Sequence, residues 1–351
     1  MVENLNRLAI VNNNFVHLYI EYLKFICSNN HVRIDVYDEN SSMNIDFAAY
    51  DYVITDVLPI KGGVKVFHQH SVEYQMDKAE NLVYKTLYRL THSNKIKKQY
   101  EYNVSYPKLV CVSNEVKRDL EKYYRISSDK IVVAYAGFVP PAQNNDDKSL
   151  KKYNIGESFT ICTSAAGFVT KGGYRLLRAL KVFRKLYPDI KIKANIIYPK
   201  YEKNLAVKLY VKLFGLSDVV EFFGYQNDIN EFYNKAHCLT CQSIYEAFGR
   251  IVTEAMYQKI PVIVGSNIGA ADIVEDGVNG FIFEDGKDAS LNLARKIKEV
   301  YDKYNDLEPL VENAYQTSKN MTWENFANDV FFGLYPELKA KGIKTLSSLT
   351  F

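Results

Sequence analysis

The chain has 351 residues, 47% hydrophobic and 24% charged, which suits two ordinary domains and excludes a disordered or low-complexity chain. A net charge of +3 gives no footprint for nucleic acid as the main partner. The opening run Met1-Val-Glu-Asn-Leu-Asn-Arg7 is polar and no apolar run approaches the ~18 residues that span a bilayer, so a cytoplasmic protein is expected.

Five cysteines are scattered over both halves, mostly in apolar strands, the pattern of reduced, buried thiols. Cys238 and Cys241 form a C-x-x-C. No second pair and no histidine at zinc-ligand spacing follows, so core packing is expected there and no metal.

In chain order, Arg7 to Val11 reads as a first strand, broken by Asn12-Asn13-Asn14. Phe15 to Ser28 has apolar residues at helical spacing, and Val32 to Tyr37 alternates like a strand. Tyr52–Thr55 and Val64–Phe67 are two more strands, and the alternation with helices indicates a doubly wound α/β domain. The next loop carries His68-Gln69-His70-Ser71; ligands of open parallel sheets sit beyond the carboxyl ends of strands, so this loop should face a cleft. Tyr84 to Tyr102 is a basic, Tyr-rich helical stretch. It could dock peripherally on anionic lipid at the inner membrane face, bind an acceptor, or be a solvated helix face. Leu109 to Ser113 is a strand, Glu115 to Tyr124 a helix, Lys130 to Val133 a strand, and Pro140-Pro141 with the polar run Gln143 to Lys148 a linker.

A second α/β pattern follows. Phe159 to Thr163 is its first strand, Gly167-Phe-Val-Thr-Lys171-Gly-Gly173 a Gly-rich loop, and Tyr174 to Tyr187 a helix. The G-x-G-x-x-G dinucleotide fingerprint is absent. Ile192–Ile197 (strand), Tyr201–Leu213 (helix), Val219–Phe223 (strand, ending in Gly224-Tyr225) and Asp228–Ala236 (helix) come next. His237 to Cys241 is a strand, Ser243 to Glu246 a short turn, Gly249 to about Lys259 a helix stopped by Pro261, and Pro261 to Val264 a strand. Strand, loop, helix, strand is the unit of a parallel sheet.

This unit holds two carboxylates, Glu246 before the helix and Glu254 eight positions later, inside it. Gly249 falls where backbone would pass closest to a ligand. The N–H groups of Gly249, Arg250 and Ile251 would then point out of the helix N-terminus, a ready anion site. The set suits a nucleotide sugar, with N–H groups for the diphosphate and carboxylates for ribose and sugar hydroxyls. An ordinary amphipathic helix with solvated glutamates would give the same spacing.

Glu246-Ala-Phe-Gly-Arg-Ile-Val-Thr-Glu254-Ala-Met, then Pro261-Val262-Ile263, Gly269, Asp272-Ile273-Val274 and Gly277-Val278-Asn279-Gly280-Phe281, resembles the nucleotide-binding half of family 4 retaining glycosyltransferases. The likeness covers roughly 109–328. It implies the GT-B fold: two Rossmann-like doubly wound domains facing a cleft, with a C-terminal helix crossing back to the first. The expected domains are 1–142, acceptor-side and joined by a helix at about 335–351, and 150–334, which binds the nucleotide sugar. The resemblance implies a catalytic histidine near the donor sugar, matched best by His70. It implies a phosphate-binding lysine, matched by Lys171, and a base-binding turn at Gly224-Tyr225. Phe248, Gly249, Arg250, Ile251 and Glu254 would complete the donor site. The family's loop arginine, five positions before the lysine, falls on Ala166 and is missing.

The implied reaction moves a sugar from a nucleotide donor, with UDP the prior, to a hydroxyl of a sugar, lipid-linked sugar or protein acceptor, with retention. There is no D-x-D pair to hold a metal, so no cofactor is expected. Lys171, Arg250 and the helix N-terminus would carry the diphosphate charge, Glu254 the ribose, and Glu246 the transferred sugar and its cationic anomeric centre. Arg250 would replace the absent loop arginine. The competing expectation is a catalytically silent partner subunit that assists another glycosyltransferase.

Overall fold

The computed structural model describes residues 7–12, 19–38, 47–55, 63–67, 108–140, 148–150, 153–154, 157–226 and 228–340. Its contacts divide the chain into two compact units, 1–139 with 321–351, and 140–320.

In the first unit, strands β1 (Arg7–Asn12), β2 (Arg33–Asp38), β3 (Tyr52–Thr55), β4 (Gly63–Phe67), β5 (Lys108–Cys111) and β6 (Ile131–Val133) form one sheet in the order β2-β1-β3-β4-β5-β6. Every pairing is parallel. Helix α1 (Ile20–Asn29) buries Ile20, Leu23 and Ile26, the apolar side of its pattern. Helix α2 (Asn114–Tyr124) starts where Ser113 Oγ accepts the Val116 N–H at 3.1 Å, a side-chain cap for an otherwise unmatched donor. His70 and the stretch from Tyr84 to Tyr102 lie outside the described residues.

In the second unit, β7 (Phe159–Ser164), β8 (Ile192–Ile197), β9 (Val220–Phe223), β10 (Cys238–Cys241), β11 (Val262–Gly265) and β12 (Phe281–Phe283) form a second sheet, ordered β12-β11-β10-β7-β8-β9. It too is parallel throughout. The helices between and after its strands are α3 (Gly173–Leu186), α4 (Leu205–Leu213), α5 (Ile229–Asn234), α6 (Arg250–Tyr257), α7 (Ala289–Lys303) and α8 (Glu308–Lys319).

The two-residue strand period divides the core of this unit between the faces of the sheet. Ile161, Cys238, Ile263 and Phe281 belong to one apolar cluster, whereas Cys162, Leu239, Cys241, Val262 and Val264 belong to the other. Cys238 and Cys241 therefore point to opposite faces and cannot jointly grip one ion. Both are free and buried, and burial pushes the Cys241 thiol up to about 12.

The chain returns to the first unit at Met321, earlier than the expected return near 335. Helix α9 (Trp323–Leu334) belongs to this returning segment: Trp323 stacks on Tyr19 at 6.2 Å and Phe326 lies 4.7 Å from the Tyr19 ring. The Phe138 N–H donates to the Met321 carbonyl at 3.1 Å, tying the outgoing and returning segments together. Pro336 ends α9, and a short helix, α10 (Pro336–Ala340), follows.

Candidate active site

The strand order of the second unit places its ligand edge. From β7 the chain moves outward through β8 and β9, then comes back to β10 on the other side of β7 and continues to β11 and β12. The order reverses between β7 and β10, and crevices for ligands open at such a switch point, beyond the carboxyl ends of the strands. The two loops that leave those strands are the Gly-rich loop Gly167–Gly173 and the segment Gln242–Gly249.

Several hydrogen bonds bind the two loops together. The Ile244 N–H donates to the Thr170 carbonyl at 2.9 Å, and buried Gln242 Nε2 donates to the Lys171 carbonyl at 3.1 Å. Gly172 adopts φ +66°, and a Cβ there would lie 2.0 Å from the Gln242 carbonyl oxygen. Only glycine allows that approach. It turns the loop so that Lys171 Nζ meets the carboxylate of Glu246 in a half-buried ion pair. Ser243 Oγ stands 3.4 Å from the same carboxylate oxygen.

Gly249 caps α6 with φ +99° and ψ +60°, and no side chain caps that end. The first N–H groups of the helix, at Arg250 and Ile251, have no intrahelical acceptor and carry the positive end of its dipole. Arg250 is exposed and makes no ion pair among the described residues. Phe248 is buried; its carbonyl accepts the Ala270 N–H at 2.6 Å, so it shapes the loop by its backbone and its packing.

Glu254 lies within α6, and Tyr233 Oη from α5 donates to its Oε2 at 2.8 Å. Burial and the neighbouring carboxylate push the Tyr233 phenol far above its usual range, so it acts as a fixed donor. Tyr225 follows the edge strand β9, 84% exposed, on the same edge of the sheet but two strands away from β7. The motif turn at Gly277–Gly280 is architectural. Asn279 accepts the Glu275 N–H at 2.7 Å and donates to the Ile273 carbonyl and to Thr317 Oγ1.

The sequence reading missed Arg175. It is 2% exposed, donates to the carbonyls of Gln242 and Ser243 at 3.4 and 3.3 Å, and pairs with Asp285 at 2.8 Å. It thus braces the segment that presents Glu246. Its position four residues before Ala179 and eight before Phe183, both buried on α3, was the available signal.

Residues 145–317 match the family model described as Glycosyl transferases group 1. The chain carries a glycosyl transferases group 1 domain. That group 1 domain falls within the second unit, where the two loops meet. EpsD of Bacillus subtilis is 28% identical over 170 residues, 47% of this chain and 42% of its own. The capsular polysaccharide biosynthesis glycosyltransferase CapM of Staphylococcus aureus is 28% identical over 167 residues, 47% and 36% of the two chains. The chain therefore spans less than half the length of either curated relative. HepE of Anabaena, solved with UDP and glucose, is similar at a TM-score of 0.64 and 15% identity, over 95% of this chain and 100% of that one. Likeness of this kind, repeated with the lipopolysaccharide-biosynthesis glycosyltransferase WaaG at a TM-score of 0.63, shows the fold, which is GT-B.

Proposed function

We propose that this protein transfers a sugar from a nucleotide-sugar donor, with UDP as the nucleotide, to a hydroxyl acceptor in the assembly of a cell-surface polysaccharide or glycoconjugate. The observation that carries the reading is the convergence of Lys171, Glu246 and the N-terminus of α6 at the switch point between β7 and β10. A diphosphate needs fixed positive charge and a sugar needs a carboxylate for its hydroxyls, and this edge supplies both. The part of CapM in capsular polysaccharide biosynthesis and the UDP bound to HepE support the choice of pathway class and nucleotide.

In this mechanism the acceptor oxygen bonds to the anomeric carbon as the bond from that carbon to the diphosphate oxygen breaks. The acceptor proton passes to the leaving phosphate, and configuration is retained. Lys171, Arg250 and the helix N–H groups hold the charge that develops on the diphosphate. Glu254, oriented by Tyr233, takes the ribose hydroxyls, and the Gly224-Tyr225 turn takes the base. Glu246 binds hydroxyls of the sugar and stabilises its cationic centre. The histidine near the donor sugar is assigned to His70.

Incubation with a panel of UDP and GDP sugars tests the reading. Slow hydrolysis of one donor, lost in Glu246→Gln and unchanged in excess EDTA, is expected. Hydrolysis that stops with EDTA and returns with Mg²⁺ would overturn the metal-free mechanism. No turnover with any donor, alone or with acceptors, would favour the silent partner subunit.

A further inference from the structure

Helix α4 turns Val207 and Val211 into the core of the second unit. Its outer face carries Leu205, Leu209 and Leu213, which are 78%, 57% and 72% exposed. A spacing of four keeps them in one line, and eight residues of helix make that line about 12 Å long. Asn204 fixes its start by accepting the Val207 N–H at 3.1 Å, so the ridge is built on an ordered, capped helix. Singly exposed leucines are ordinary, but three in a row on one helix mark a contact surface.

The charge around the ridge says what the surface meets. Between positions 200 and 213 the chain has Lys200, Lys203, Lys208 and Lys212 against a single acid, Glu202. Glu202 pairs with Lys208 at 2.6 Å, and nearby Asp218 is held by Arg184 at 3.0 Å. Lys200, Lys203 and Lys212 are exposed. Each leucine of the ridge is more than half exposed, whereas a bound peptide is held in a groove that takes its side chains. A second copy packed ridge to ridge would bring two stretches of like charge together.

We propose that the outer face of α4 docks on an anionic lipid bilayer. Leu205, Leu209 and Leu213 enter the boundary between headgroups and acyl chains, and Lys200, Lys203 and Lys212 reach the lipid phosphates with their stems along the apolar layer. The N-terminus of α4 lies at the carboxyl end of β8, the same edge of the parallel sheet as Lys171 and Glu246. Docking here would hold that edge close to the lipid surface. The inference does not depend on the transfer reaction and is tested without it.

The full chain is sedimented with vesicles of phosphatidylcholine plus phosphatidylserine, and with phosphatidylcholine alone. Binding to the anionic vesicles only, weakened by salt, is expected. The triple variant Leu205→Ser/Leu209→Ser/Leu213→Ser should bind at least about 100-fold more weakly, because each buried leucine contributes roughly tenfold. Lys203→Gln/Lys212→Gln should lose on the order of 20-fold. All these positions are exposed, so circular dichroism should be unchanged. As a second readout, Leu209→Trp should shift its emission to the blue on anionic vesicles, while Trp323, buried in the first unit, stays constant. Undiminished binding by the triple variant, an unmoved Leu209→Trp emission, or no binding to anionic vesicles would each overturn the proposal. So would a wild-type dimer that the triple variant abolishes without any vesicle binding, since the occupant would then be a second copy.

Discussion

Glu246 and Glu254 share one motif, but their surroundings differ. Glu246 faces a cation, Lys171, across the two loops. Glu254 faces a buried phenol, Tyr233, that donates to it. Removing the phenol takes away the donor that fixes the carboxylate's orientation. Tyr233→Phe should weaken binding of a nucleoside diphosphate about tenfold, the order of one hydrogen bond to a charged group, with turnover at saturating donor little changed. Calorimetric titration checks the affinity, and an unchanged affinity would mean that Glu254 does not hold the ribose. Arg250 is the exposed first residue of α6, one position past its glycine cap. Arg250→Leu should lower turnover by ~10²–10³-fold, as loss of a preorganised charge does, and Lys171→Ala similarly. If both cations act on one diphosphate, as proposed, the double variant should lose less than the product of the two. Near-normal turnover in Arg250→Leu would show that Lys171 and the helix terminus carry the charge without it.

At the scale of elements, the site depends on one close approach. Gly172 lets the loop after β7 touch the backbone after β10, with a Cβ 2.0 Å from a carbonyl oxygen if one were present. Gly172→Ala should cost on the order of 1–3 kcal/mol, from positive φ and from the contact. Gly215→Ala is the control, because Gly215 has nearly the same φ, +65°, and nothing within 4 Å of its Cβ position. Thermal unfolding of both should show Gly172→Ala clearly the less stable. Equal losses would mean that the loops are not held together as described. This approach was only half legible in the sequence. The Gly-rich loop and the E-x7-E unit were readable because glycine and carboxylate spacing are local signals. Their meeting is a long-range fact, set by strand order. Tyr233 and Arg175 were missed for the same reason, since each acts on a residue distant in the chain.

On the scale of the molecule, alternating strands and helices predicted two parallel α/β units, and the structure has them. The domain boundary was expected at 334, whereas the chain returns at Met321, before α9. The ring that Trp323 stacks on, Tyr19, is some three hundred residues away, and no local pattern announces that contact. The C-x-x-C was expected to pack in the core, and Cys238 and Cys241 are both buried there, on opposite faces of the sheet. Everything functional converges on the claim that the edge between β7 and β10 binds a nucleoside diphosphate, with Glu254 on the ribose and Glu246 on the sugar. Titration of UDP into the wild type, Glu254→Gln and Glu246→Gln tests it most directly. The wild type should bind. Glu254→Gln should bind about tenfold more weakly or worse. Glu246→Gln should bind as well as the wild type or better, because the substitution releases Lys171 from its ion pair. No binding of any nucleoside diphosphate by the wild type, or equal losses in the two variants, would contradict the account.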